Sequence, residues 1–216
     1  MLISNRPPTL SFPGERRVIF RNLTWQNYQS ILQSVGEHRS TRLTYACGTL
    51  EMTMPLEDHE FAKELIGLFI RVLVVELGLR LKSMGSTTLD RQDLDRGAEP
   101  DCAFYIQHYA QVSGRSIDLE QDPPPDLVVE IDITHSDINK LDLYSNMGVP
   151  EFWRYDGHLL KIYQLQGSGY ERTEVSSTFP WVPTTRLYKF LEQASVDEVA
   201  AELALRKWVQ KHRPRD

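Results

Sequence analysis

A chain of 216 residues, 41% hydrophobic and 25% charged, has the make-up of one globular domain and is too apolar to stay disordered. Its formal net charge of −6 excludes a protein that coats nucleic acid through a global basic field. It leaves room for an enzyme whose basic residues gather locally around a cleft. Cys47 and Cys102 form no C-x-x-C pair, no signal-type apolar core occurs near Met1, and the longest apolar region, residues 65–81, is broken by Arg71, Glu76 and Arg80. The expectation is a reducing compartment and a cytoplasmic protein.

Residues 1–22, with Pro7, Pro8, Pro13 and Gly14, read as an N-terminal arm. Thr24 is placed to cap a helix through Val35 that Gly36 ends. Residues 42–45 and 49–53 predict a hairpin across Cys47-Gly48. Asp58 is expected to start a long helix to about Lys82, burying Phe61, Leu65, Leu68, Phe69, Val72, Leu73 and Leu77. A short strand at 87–90 and a charged loop at 90–99 follow.

Residues 98–106 predict a strand with Cys102, Phe104 and Ile106 on one face and Asp101, Ala103 and Tyr105 on the other. Residues 107–125 are irregular, with one helical turn. In residues 125–134 the period is two: Leu127, Val129, Ile131 and Ile133 alternate with Val128, Glu130, Asp132 and Thr134. Ser136 is expected to cap a helix through Met147, stopped by Gly148. Strands at 151–156, 158–165 and 169–175 form a meander. A helix at 196–212 carries Val196, Val199, Ala200, Leu203 and Val209 on one side. The sum is a single α/β (α+β) domain, a mixed sheet flanked by helices.

Two carboxylates on one face of an apolar strand are costly unless that face needs negative charge. A hard divalent cation is one such need, since it takes oxygen ligands, typically one or two carboxylates with waters. Neighbouring strands lie roughly 4.8 Å apart, so Asp101 and Glu130 on adjacent strands can share an ion. Asp126 stands four extended residues from Glu130, roughly 13 Å away, and reads as a strand-start or turn residue. Asp132, roughly 6.6 Å beyond Glu130, is placed to complete the site or to bind through water. Lys140 comes from the following helix, where an ammonium can orient water or neutralise a developing phosphorane.

Each of these residues alone has an ordinary structural explanation; the order strand, strand, helix gives the set its weight. His59 and His135 lie nearby, but no further ligands stand at zinc spacing. No nucleophile elbow and no phosphate-cradling glycine loop occurs. Lys63, Arg71, Arg80, Lys82, Arg91 and Arg96 are candidates for a basic rim, or simply the solvated side of a helix and loop.

The segments Glu99-Pro100-Asp101-Cys102-Ala103-Phe104, Pro124-Pro125-Asp126-Leu127-Val128-Val129-Glu130-Ile131, Lys140-Leu141-Asp142-Leu143-Tyr144 and Gly148-Val149-Pro150-Glu151-Phe152-Trp153 resemble a large bacterial family of restriction-endonuclease-like proteins. That family sits within the PD-(D/E)XK nuclease superfamily, and the resemblance spans residues 23–191. It implies a restriction-endonuclease-like nuclease domain over 23–195, followed by a C-terminal helix at 196–216. It also implies Asp101 and Glu130 as metal ligands, Mg²⁺ or Mn²⁺ as cofactor, and phosphodiester hydrolysis with DNA as substrate. Asp132 occupies the position where the superfamily motif has its lysine, and Lys140 matches the displaced lysine of this family. Thr44 stands where many relatives carry a glutamate, with Glu51 or Glu64 as candidate replacements. The expectation is an endonuclease with Asp101, Glu130, Asp132 and Lys140 at its site, possessing paired sites in a homodimer. The alternative is a non-catalytic nucleic-acid-binding or regulatory module with a degenerate nuclease fold. A third reading, metal-dependent hydrolysis of another substrate, stays open.

Overall fold

The computed structural model describes residues 16–36, 41–133 and 136–214. Thr134, His135 and residues 1–15 of the expected arm lie outside them. In chain order the elements are β1 (Arg16–Phe20), α1 (Trp25–Val35), β2 (Arg42–Ala46), β3 (Thr49–Met54), α2 (Glu57–Glu76), β4 (Lys82–Ser83), β5 (Leu89–Arg91), β6 (Arg96–Ala98), β7 (Cys102–Tyr105) and α3 (Tyr109–Val112). Then come β8 (Leu127–Ile131), α4 (Lys140–Asn146), β9 (Glu151–Tyr155), β10 (Leu160–Gln166), β11 (Gly169–Thr173), α5 (Thr184–Ala194) and α6 (Glu198–His212). They form one mixed α/β domain with two sheets, ordered β1-β3-β2-β6-β5 and β11-β10-β9-β8-β7-β4. All pairings are antiparallel except β8 with β9.

Local chemistry explains most boundaries. Thr24 accepts from the Asn27 amide at 3.2 Å while the Asn27 side chain accepts from the Thr24 amide at 3.0 Å, a reciprocal cap for α1. Cys47 and Gly48 have φ of 44° and 86°, the positive values that a two-residue hairpin needs to match strand twist. Gly148, with φ of 77°, ends α4 as expected.

Several expectations need correction. Helix α2 ends at Glu76, because Gly78 turns the chain with φ of 67° and Lys82–Ser83 pairs with β7 instead. Phe61, expected on its buried face, is 39% exposed. The strand expected over 98–106 is two strands in different sheets, divided at Glu99-Pro100-Asp101. Proline has no N–H to offer a ladder, so the break falls there.

The charged loop expected at 90–99 contains β6 and a 3₁₀ turn at Gln92–Leu94. Helix α4 starts at Lys140 and is capped by Asn139, whose side chain accepts from the Leu141 and Asp142 amides; Ser136 bonds elsewhere. Within the segment expected as an arm, β1 is the outer strand of the first sheet. The sequence reading also missed α5, although Leu187, Phe190 and Ala194 are buried at helical spacing.

Three apolar layers hold these elements. Cys102, Phe104 and Ile106, with Leu127, Val129 and Ile131, face α2, α5 and α6, as the alternation predicted. On α6 the buried side is Ala201, Leu205 and Val209, whereas Val196, Val199 and Leu203 are exposed, which corrects the expected stripe. Tyr28 of α1 packs against Leu43, Tyr45 and Leu50. Between the sheets, Leu89 and Ala98 meet Ala103 and Val128, with Leu143, Tyr144 and Phe152 alongside.

Tyr28 stacks on Tyr45 with centroids 4.8 Å apart and donates to Asp90 Oδ1 at 2.8 Å. Gly97 lies directly against this pair: an added Cβ would come within 2.6 Å of the Tyr28 hydroxyl and 2.5 Å of Asp90 Oδ1. Gly97→Ala is therefore expected to lower the unfolding free energy by about 1–3 kcal/mol, read as a lower urea midpoint at unchanged slope.

Candidate active site

The register Cys102↔Val129, carried one residue further along the antiparallel ladder, sets Asp101 opposite Glu130. Both are buried, at 2% and 3% exposure, on the face turned away from α2. Sequence alternation put both acids on the same side of adjacent strands; the structure keeps Glu130 in β8 but sets Asp101 one residue before β7. The first sheet turns Arg17, Arg42 and Glu51 toward them, since cross-strand partners Arg17↔Thr53↔Arg42 and Ile19↔Glu51↔Thr44 share one face.

Arg42 pairs with Asp101 through Nη1 and with Glu60 Oε1 through Nη2 at 2.7 Å. The Ile131 amide donates to Asp101 Oδ2 at 2.6 Å, and His59 Nε2 lies 3.2 Å from the same oxygen. Burial, and then the Arg42 charge, push His59 down to about 4, so the ring is neutral at neutral pH. Glu130 accepts from Lys140 Nζ at 2.7 Å and from the Tyr144 hydroxyl at 2.5 Å. Burial, and then the Glu130 charge, hold the Tyr144 hydroxyl well above its ordinary value, keeping it a donor.

Asp132 sits past the end of β8, 1% exposed in its side chain. Arg154 Nη2 reaches its Oδ2 at 2.5 Å, and Arg17 Nη2 lies 3.9 Å from its Oδ1. Glu51, directly opposite Thr44, is buried and accepts from Ser136 Oγ at 2.7 Å, the Asp137 amide at 2.7 Å and Arg17 Nη1 at 3.3 Å. It thus fixes the loop that leads into Lys140. Glu64, the other candidate for the acid absent at Thr44, is 77% exposed beside Lys63.

Asp126 binds the Ile106 and His108 amides and the His108 ring, the turn role expected for it. Of the proposed basic rim, Lys63, Arg91 and Arg96 pair with Glu60, Asp93 and Asp142, and Lys82 donates to the Val112 carbonyl. Cys102 is a buried apolar residue, its thiol pushed up to about 11 by that burial.

Arg17, Arg42, Tyr144 and Arg154 escaped the sequence reading. Their signal was weak: Arg17 and Arg42 show only as charges inside alternating β patterns, and Arg154 as the register partner of Glu130 in β9. Two buried carboxylates side by side fit the hard-donor chemistry of Mg²⁺ or Mn²⁺, which asks for no more than that from protein. Among the described residues, no cluster of three or more His, Cys, Asp and Glu converges. The charge of the pair is balanced by Arg42 and Lys140.

Among the described residues the hydroxyl of Tyr144 is the one neutral side-chain donor on Glu130, so Tyr144→Phe isolates its contribution. A hydrogen bond to a charged group is worth about 1.5–3 kcal/mol, and a loss of that size is expected in urea unfolding. An unchanged midpoint would show that Lys140 alone satisfies the carboxylate.

Uma2, described as "Putative restriction endonuclease", matches residues 25–196. Among curated proteins no match was found. A crystal structure described as a putative nuclease belonging to DUF820 from Anabaena variabilis is 14% identical, with a TM-score of 0.49, covering 78% of this chain and 99% of that one. The match over residues 25–196 takes in the second sheet, the first sheet apart from β1, and every acid described above, and by it the chain belongs to the Uma2 family.

Proposed function

We propose that this chain is a divalent-metal-dependent endonuclease that hydrolyses nucleic-acid phosphodiester bonds, acting on DNA in the cytoplasm. The observation that carries the reading is the buried pair of Asp101, one residue before β7, and Glu130 in the neighbouring β8, with the Lys140 ammonium on Glu130. Asp101 and Glu130 would hold the Mg²⁺ or Mn²⁺ ion, which when bound supplies Lewis acidity and lowers the pKa of a water. Lys140, anchored at the first residue of α4, directs its remaining N–H donors toward an attacking water or the non-bridging phosphate oxygens. Tyr144 fixes Glu130 from the opposite side and so sets where the ammonium stands. Arg154 opposes Glu130 in β9, and Asp132 orients its guanidinium.

Supercoiled plasmid and single-stranded DNA, incubated with Mg²⁺ or Mn²⁺, should be nicked, and EDTA should abolish the nicking. Glu130→Ala and Lys140→Ala should each lower the rate by ~10²-fold or more while near-ultraviolet circular dichroism stays native. A Glu130→Ala variant as active as the parent would remove Glu130 from the site.

One observation favours a second reading, a non-catalytic nucleic-acid-binding module: the Arg42 guanidinium already occupies Asp101. Such a protein would retain DNA in a low-salt gel shift with no metal-dependent loss of substrate. Paired sites in a homodimer belong to the nuclease reading, and light scattering that finds only the 25.0 kDa species would remove them.

A further inference from the structure

Helix α2 turns Leu65, Ile66, Phe69, Ile70, Val72 and Leu73 into the core. Its outward side is a narrow stripe at the i, i+3, i+7 positions, made of Phe61, Glu64, Leu68, Arg71 and Val75. Phe61 is 39% exposed, Val75 is 55% exposed and the Glu64 side chain 77%. Arg71 is exposed as well, and Leu68, at the middle, is half-buried with one side against the core.

The order of the stripe matters more than its exposure. It reads apolar, acidic, apolar, basic, apolar, so reversing it exchanges only the two charges. Phe61 and Val75 centre on residue 68, and Glu64 and Arg71 centre half a residue away. A two-fold axis crossing α2 at Leu68 therefore sets Phe61 beside Val75 of the partner subunit, and Glu64 beside Arg71 of the partner subunit, each contact occurring twice. Arg71 has no side-chain partner among the described residues. Glu64 has only Lys63 Nζ at 3.7 Å, and that ammonium is held by Glu60 at 2.9 Å. Neither charge is committed within the chain. A parallel arrangement would set Glu64 against Glu64 and Arg71 against Arg71, so charge selects the antiparallel one.

We infer that this stripe is the contact surface of a homodimer, with a second copy of the chain seated antiparallel on α2. Single apolar side chains on a surface need no explanation. Three of them seven residues apart, separated by an acid and a base, match the same face of another copy. The stripe is about 21 Å long, one helix pair, which belongs with the smaller interfaces and makes the dimer concentration-dependent. It supplies a surface for the paired sites of the nuclease reading but rests on α2 alone. The first turn of α2 brings His59 to Asp101, nine residues before Leu68. The axis thus sets the two acid sites on opposite sides of it, their His59 residues about 27 Å apart along the helix direction.

The test is analytical ultracentrifugation of the full chain in EDTA, without nucleic acid, across a range of concentrations. A species of twice 25.0 kDa is expected to grow with concentration. Glu64→Arg and Arg71→Glu each place like charges at both contacts and should weaken self-association at least about tenfold. Both positions are exposed, so native circular dichroism is expected of each variant. Mixed in equal amounts, the two variants regain opposite charges at both contacts and are expected to form a heterodimer about as tight as the parent dimer. A 25.0 kDa species alone at every concentration would overturn the inference. So would a dimer that survives either exchange unweakened, or a pair of variants that fails to recombine. With neither metal nor DNA present, the outcome is separable from failure of the nuclease reading.

Discussion

The pairing of buried carboxylates on one sheet with arginines from the other is the constraint on which the rest of this molecule depends. Asp101 and Asp132 are almost wholly removed from water, and a buried carboxylate without a partner costs several kcal/mol. Arg42 and Arg17, projecting from β2 and β1, lie against those acids, and Lys140 and Arg154 complete the balance from α4 and β9. The interior between the sheets thus contains charged pairs as well as apolar side chains. Ala98, Ala103 and Val128 pack together there, and the acids of the pairs Arg42–Asp101, Lys140–Glu130 and Arg154–Asp132 are buried as well. Removing one member strands its partner, so neither sheet can be altered on this face without consequence for its neighbour.

The same arrangement explains how negative groups can stand close together in a chain of net charge −6 without destabilising the fold. Three of the acids are held by more than one donor: a backbone N–H and the Arg42 guanidinium on Asp101, a phenol and an ammonium on Glu130, a hydroxyl and a backbone N–H on Glu51. Preorganised carboxylates of this kind need little rearrangement when a substrate or ion arrives, which is where catalytic sites gain most of their advantage. Glu51 contributes at one remove. By binding Ser136 and the Asp137 amide it fixes the segment that sets the start of α4, and with it the base of Lys140.

What the sequence disclosed and what it hid divide along physical lines. Period-two alternation in 127–132 and 101–106 separates the α2-facing side from the acid-bearing side, because a sheet buried on both faces must still choose which face tolerates charge. Thr24, Gly36 and Cys47-Gly48 announce their cap and turn through local chemistry alone. The partners of the acids are non-local. Arg17 and Arg42 stand 115 and 59 residues from Asp132 and Asp101, and nothing within either strand shows what lies across the gap. Helix α5 was missed because Pro183 and a run of polar residues mask the spacing of Leu187, Phe190 and Ala194. The single strand read over 98–106 failed for a related reason: its residue pattern continues through Pro100 although its hydrogen bonds do not.

That interruption has a mechanical side. Glu99 is fastened to the first sheet by a backbone bond with Leu43, by the Leu43 amide on its carboxylate and by the Thr88 hydroxyl. Cys102 already belongs to the second sheet, so Pro100 and Asp101 form a two-residue bridge between layers. A sliding displacement of one layer across the other would be delivered to this bridge, and would move the Asp101 carboxylate relative to Glu130 by a comparable amount. The distance between the two acids is in that sense a gauge of how the layers are seated, and a shear of an ångström or so, from whatever origin, would change the geometry offered to an ion.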